Sequence, residues 1–176
     1  MWLWTRDSTS YDGRVGSTVR GMTTHAQGDR PFVSQVVMDC PDARALAEFY
    51  RELLGYAYRP GDEAPPVGEP DPLGSDWLVL RPAAEDVSSG RQIAFQQVGD
   101  HVPPVWTADE AGADPGRQRQ MLHLDMTVPD VAALARQRDR AIGLGAAELL
   151  DRSDDEEEPL YVFSDLAGHP FCIFVG

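Results

Sequence analysis

The sequence has 176 residues, 42% of them hydrophobic and 25% charged, which suits one domain or two small halves sharing a core without metal or disulfide staples. Its formal net charge is -14 and all 15 basic residues are arginine, so the surface repels nucleic acid and anionic lipid and neither is expected as a partner. No apolar run reaches the length of a membrane span, and the start "MWLWTRDSTSYDGR" has no continuous apolar core and reads poorly as a secretion signal.

Residues 1–30 are rich in Ser, Thr, Gly, Asp and Arg without sustained periodicity. They are expected as a disordered or extended arm. Two alternatives stand beside that reading: a natural start nearer Met22, and an arm that covers a neighbouring subunit with Trp2 and Trp4. A first unit follows over 31–98. Val33–Cys40 reads as a strand that Pro41 closes, and Asp42 is a natural helix N-cap. Leu46, Phe49, Tyr50 and Leu53 recur at helical spacing until Gly55 stops the helix. "YAYRP" is a short strand, and 60–74, crowded with Pro, Gly and acid, is a loop. "DWLVLRP" and "RQIAFQQV" are two more strands, joined by a turn through "EDVSSG".

A linker over 99–118 leads to a second unit, 119–176, where the cycle restarts. "MLHLDMTV" is a strand, Pro129-Asp130 the turn and cap, and Val131–Ile142 a helix broken by Gly143. "AAELLD", "LYVFSD" and "HPFCIFVG" are strands, and the acidic run Asp154–Glu158 is a solvated turn without the alternating spacing of a calcium loop. The two halves echo each other: Met38 with Met126, Pro41 with Pro129, Asp42 with Asp130, and Ala45-Leu46-Ala47 with Ala133-Leu134-Ala135. "GRQIAFQQV" and "GHPFCIFVG" echo again at the two ends. Each half reads strand, helix, strand, strand, strand, and neither would cover its apolar sheet face alone.

Strand alternation sorts the chemistry. Leu122, Leu124, Met126 and Val128 share one face, as do Val36, Met38 and Cys40, and these faces should lie under the helices. The opposite faces carry Gln35, Asp39, Gln96, His123, Asp125, Thr127 and Cys172, mixed with Val37, Ala94 and Phe174. Mostly apolar walls with a few placed polar groups are what a ligand hollow requires. Cys40 and Cys172 fall on opposite faces, so no disulfide is expected and a reducing cytoplasm fits.

The opening "VVMDCPDARALAEFYRELLG", its echo "LHLDMTVPDVAALA" and the closing "FSDLAGHPFCIF", with an Asp-x-x-Gly-Asn/His type of turn, resemble the glyoxalase/bleomycin-resistance/dioxygenase proteins of the vicinal oxygen chelate superfamily. The resemblance spans about 33–176 and points to the glyoxalase-like domains at large, not to one defined enzyme. It implies an α+β fold, two βαβββ modules forming an open, cup-shaped mixed β-sheet with helices outside. It implies a lyase, isomerase or dioxygenase type of activity on a small organic molecule held between the modules. The alternative is metal-free binding of the drug-sequestering, antibiotic-resistance type. It further implies a homodimer.

Metal-dependent relatives place one ligand on the first and one on the last strand of each module. Carried over, those slots are Gln35, Ala94 (or Gln96 if the register slips by two), His123 and Cys172. Ala94 and Cys172 are not typical ligands, which leaves His123 and Gln35 as the metal candidates, and Cys172 would draw such a site toward zinc. The set weighs against a tight catalytic metal. The expected ligand-contacting residues are Gln35, Gln96, His123, Asp125, Cys172 and Trp77. His123 is the one candidate base, with Asp125 two residues on to fix its tautomer; the bland alternative is a cavity-wall histidine. Cys172 would be a nucleophile only with a lowered pKa, and is otherwise a small buried side chain. His169 is expected to serve the turn, His25 and His101 lie in loops, and Trp106 belongs to the core or the rim.

Overall fold

A prolyl residue cannot donate to a sheet ladder, and an aspartate beside it can cap a helix. That pair sets the geometry at the same place in each half. The computed structural model describes residues 31–83, 91–106 and 118–176. Strand β1 (Gln35–Cys40) ends at Pro41, and the Asp42 carboxylate accepts the Ala45 N–H at 2.9 Å to start α1 (Ala43–Leu54). Gly55 ends that helix at φ 68°, a left-handed conformation that costs glycine nothing. Then come β2 (Ala57–Tyr58), β3 (Trp77–Arg81) and β4 (Gln92–Gln97).

The second half repeats the order: β5 (Leu124–Val128), α2 (Val131–Gly143), β6 (Ala147–Arg152), β7 (Leu160–Ser164) and β8 (Pro170–Val175). Asp130 caps α2 by accepting the Ala133 N–H at 2.7 Å. The strand orders are β1-β4-β3-β2 and β5-β8-β7-β6, each with its first strand parallel to its last and the other pairs antiparallel. These are two βαβββ modules, two open four-stranded mixed sheets and not a closed barrel. The expected α+β fold is the observed one.

Alternation puts Met38 and Cys40 under α1, and Leu124, Met126 and Val128 against the same core. Val33–Gly176 forms one compact unit with one continuous hydrophobic cluster. At its centre Phe171 of β8 stacks on Phe163 at 5.2 Å between centroids and meets Phe49 and Tyr50 of α1 at 6.0 and 6.3 Å. The Arg140 side chain of α2 donates to the Glu52 carbonyl of α1. Burying each such aromatic contributes about 1.5–3 kcal/mol.

A polar joint crosses the same boundary. The Tyr50 hydroxyl donates to Asp165 at 2.9 Å, and the other Asp165 oxygen accepts the N–H groups of Ala167 and His169. Gly168 holds φ 89° in that turn, where a β-carbon would come within 2.6 Å of Pro103 Cβ. The His169 ring bonds the Asp39 carbonyl at 2.7 Å, so it serves the turn and ties it to β1 as well.

Some boundaries differ from expectation. The strand expected from Met121 begins at Leu124, which leaves His123 one residue before it. The second helix runs through Gly143 and is closed by Gly145 at φ 105°, since that glycine and not Gly143 takes the left-handed turn. The arm over 1–30 and the turn through 85–90 lie outside the described residues, as do His25 and much of the 99–118 linker. Both cysteines are free and buried: Cys40 in the helix-side core, its thiol donating to the Gln96 carbonyl at 3.5 Å, and Cys172 on the far side of its sheet. Among the described residues no helix is long and apolar enough to cross a membrane.

Candidate functional site

In a parallel strand pair, residues in register share a face, so a donor on one strand meets a donor on its neighbour. On the β5–β8 pair Asp125 stands in register with Cys172, and Met126 with Ile173. Met126 and Ile173 join the core, so Asp125 and Cys172 face away from the helices. His123 lies two residues before Asp125. Side chains at that spacing start about 6–7 Å apart along a strand. Here they turn toward each other, and His123 Nε2 comes within 3.3 Å of Asp125 Oδ1. One donor atom from each of His123, Asp125 and Cys172 lies within 4.8 Å of the other two.

Exposure is graded across the three. The Asp125 side chain is 59% exposed and that of His123 34%, whereas Cys172 is buried. Burial, then the nearby Asp125 charge and its hydrogen bond, push the Cys172 thiol up to about 11. It is therefore a neutral thiol near pH 7 and a poor nucleophile. The expectation that Cys172 reacts only with a lowered pKa resolves to a protonated, sheltered sulfur.

The Trp106 ring meets the His123 ring edge-on, with centroids 5.5 Å apart. Trp106 also walls a cavity of about 220 Å³ with Pro103, Pro104, Leu149, Ser164 and Pro170. Pro170 precedes Cys172 by two residues on the same strand. The hollow thus lies next to His123 through Trp106 and next to Cys172 along β8. Its single lining hydroxyl is that of Ser164.

The other candidates group in the first sheet. Gln35 opens β1 opposite Gln92, and Gln96 stands opposite Asp39 on one side and Trp77 on the other. Ala94 is fully buried between Val37 and Val79 and has no donor atom to offer. Among the described residues no hydrogen bond joins the Gln35 or Gln96 side chain to His123.

Sequence reasoning missed three polar placements. Asp165, at the end of the expected strand "LYVFSD", is buried and accepts the Tyr50 hydroxyl, and burial pushes its carboxyl above the usual range. Its place at the head of the Asp-x-x-Gly turn was the available signal. Asp62, in the 60–74 loop, is buried and accepts the Val79 N–H at 2.9 Å while pairing with Arg59. No pattern in that loop marks it. Trp106 was assigned to core or rim without its partner His123.

The chain belongs to the glyoxalase-like domain family, whose model matches residues 35–174. Among solved structures it is similar to a glyoxalase/bleomycin resistance protein/dioxygenase family enzyme from Burkholderia phytofirmans PsJN, at 15% identity and TM-score 0.52, over 81% of this chain and 96% of that one. It is also similar to the fosfomycin resistance protein FosX from Listeria monocytogenes, at 14% identity and TM-score 0.56, over 84% and 92%. A FosX mutant from that organism, complexed with Mn(II) and 1S,2S-dihydroxypropylphosphonic acid, aligns at 13% identity and TM-score 0.53, over 82% and 90%. At such identities the likeness is one of fold. No curated protein matches the sequence.

The FosX complex contains Mn(II), and the residues of this chain can be set against such an ion. Of the four positions that the resemblance offers as ligand slots, Ala94 holds no donor, Gln35 lies in the other sheet, and His123 and Cys172 come together. The third donor beside them is Asp125, which is not among those four. A nitrogen, a carboxylate and a sulfur converge on the far face of β5 and β8, so the donor set fits a divalent ion with mixed ligands.

Proposed function

We propose that this protein transforms a small organic molecule in the hollow between the linker residues Pro103–Trp106 and the sheet of its second module, by chemistry of the lyase or isomerase type. The apolar part of the ligand lies against Trp106 and the prolines beside it. An oxygen-bearing group meets His123, Asp125 and Cys172. The observation that carries the reading is that Trp106 belongs to both places: it touches His123 and walls the 220 Å³ cavity. A hollow walled by Trp106 and prolines, with polar groups near one end, can orient a ligand from that end. Asp125 at 3.3 Å from His123 Nε2 can hold the imidazole in one tautomer, which suits moving a proton or binding an electrophile.

A metal-free binding protein is the second reading. What favours it is Ala94, buried and donorless in a slot where metal-dependent relatives carry a ligand. Free cysteines fit a reducing cytoplasm, and the homodimer that the family suggests can be read by sedimentation.

The test is a thermal-shift screen of the full chain against small aromatic and oxygenated compounds, with product analysis of every hit. Hits should lose their stabilisation in Trp106→Ala, and product formation should vanish in His123→Ala. Ligand uptake without product in the unaltered protein selects the binding reading. Hits that both variants keep unchanged would place the ligand elsewhere and end the proposal.

A further inference from the structure

We infer that His101 is a positioning residue for the proposed site: it clips the linker segment His101–Trp106 to the turn between β7 and β8, and so fixes the Trp106 ring beside His123. This role rests on the proposed function for the ligand that Trp106 would meet, and adds what holds that ring in place. The His101 Nε2 donates to the Ala167 carbonyl at 2.8 Å. Two residues further on, Pro103 lies so close to Gly168 that a β-carbon on the glycine would come within 2.6 Å of Pro103 Cβ. The segment thus has both a bond and a seat on one turn. Pro103, Pro104 and Trp106 then wall the cavity.

The residues between carry the clip to the ring. Val102, Pro103, Pro104 and Val105 separate His101 from Trp106. Each proline has its φ locked by the ring, and a residue before proline is kept out of the helical region. Val102, Pro103 and Pro104 therefore have little freedom to absorb a displacement. Val105 is buried; its N–H donates to the Gln118 carbonyl at 3.0 Å, and its own carbonyl accepts the Gln120 N–H at 2.9 Å. Gln118 and Arg119 are exposed, so that bridge ties Trp106 to the periphery. The turn is the firmer reference. The Asp165 carboxylate accepts the Ala167 and His169 N–H groups and the Tyr50 hydroxyl, and the His169 ring bonds the Asp39 carbonyl. None of the described residues that wall the cavity belongs to the first module, yet α1 and β1 hold the turn on which the wall sits.

The test follows the Trp106 indole N–H by nuclear magnetic resonance of the full chain, its peak assigned by loss in Trp106→Phe. His101→Ala should shift or broaden that peak. His101→Gln, whose amide nitrogen can reach the same carbonyl, should restore it. The binding probe is 2-naphthol, an aromatic body with one oxygen, in equilibrium dialysis. Its affinity should fall about 3–10-fold in His101→Ala, the worth of one hydrogen bond, and return in His101→Gln. Circular dichroism checks that each variant folds; if His101→Ala does not, His101→Asn, whose amide is too short for the carbonyl, takes its place. An unmoved Trp106 peak, a change that glutamine does not reverse, or an unaltered affinity beside a moved peak overturns the positioning role. Uptake of 2-naphthol with an unmoved peak leaves the proposed function standing and removes His101 from it. No uptake by the unaltered protein counts against the proposed function, while the peak still decides whether His101 places the ring.

Discussion

The two modules share one plan and divide the labour. In the first, α1 buries Ala43, Leu46, Ala47, Phe49, Tyr50 and Leu53, and β3 is closed on both faces. In the second, α2 buries only Ala133, Leu134 and Ala141, and all six residues of β6 are exposed. The donors run the other way. His123, Asp125 and Cys172 occupy the second module, where the first has Gln35, Val37 and Ala94 at the matching places. A duplicated unit needs its packing only once if the copies share a core. The second module shares that core through buried β7 and β8, while its more open α2, β5 and β6 leave room for polar side chains. Buried polar groups weaken a core unless every one is bonded, so separating the two tasks avoids the conflict.

The strongest way to break this comparison is to remove the ring that both halves use. Phe171 touches Phe49 and Tyr50 of the first module and Phe163 of its own. Phe171→Ala should cost about 3–5 kcal/mol through lost transfer energy and a cavity that the surrounding strands cannot close. Denaturant unfolding should remain a single transition at a lower midpoint. Two transitions, one for each half, would show that the modules do not share one cooperative core.

A smaller effect sharpens the same point at the polar joint. Tyr50→Phe removes a hydrogen bond to a buried carboxylate and should cost about 2 kcal/mol near pH 7. Burial raises the Asp165 pKa, while the Tyr50 hydroxyl works against that rise by favouring the charged form. A raised carboxyl pKa means that the folded state holds its proton longer than the unfolded one. The stability contribution is then full below the ordinary value of 3.8 and is lost as pH rises through the folded value. Without the hydroxyl that loss is larger. The gap between Tyr50→Phe and the unaltered protein should therefore widen from pH 4 to pH 7 in parallel denaturant titrations. A gap that narrows over this range would mean that Asp165 is not held by Tyr50.

These features differ in how legible they were. The Pro41-Asp42 and Pro129-Asp130 boundaries were readable because a cap acts over three residues. The open faces of β5 and β8 were readable because side chains alternate, which puts His123 and Asp125 on the one and Cys172 on the other. That Asp125 and Cys172 are direct neighbours was not, since register between β5 and β8 depends on tertiary packing. Trp106 lies in a stretch without periodicity, and nothing local ties it to His123. The Tyr50–Asp165 bond spans 115 residues and joins two modules, and no window of sequence contains both.

The smallest expected effect tests whether the shared plan has equal consequences in unequal surroundings. Asp42→Ala and Asp130→Ala each remove one capping bond, to Ala45 N at 2.9 Å and to Ala133 N at 2.7 Å, and should each cost about 1 kcal/mol. The global cost is similar because the lost bond is the same. The local result is not. The first turn of α1 stays pinned, because Ala43, Leu46 and Ala47 are buried and Gln97 accepts the Ala43 N–H at 3.3 Å. The first turn of α2 begins with exposed Val131 and has Ala133 and Leu134 alone to hold it. Amide exchange in the first turn of α2 should accelerate in Asp130→Ala well beyond the global change, whereas α1 in Asp42→Ala should track global stability. Equal local acceleration in both would mean that the second helix is held as firmly as the first, and that the division between a packing half and a chemical half does not extend to dynamics.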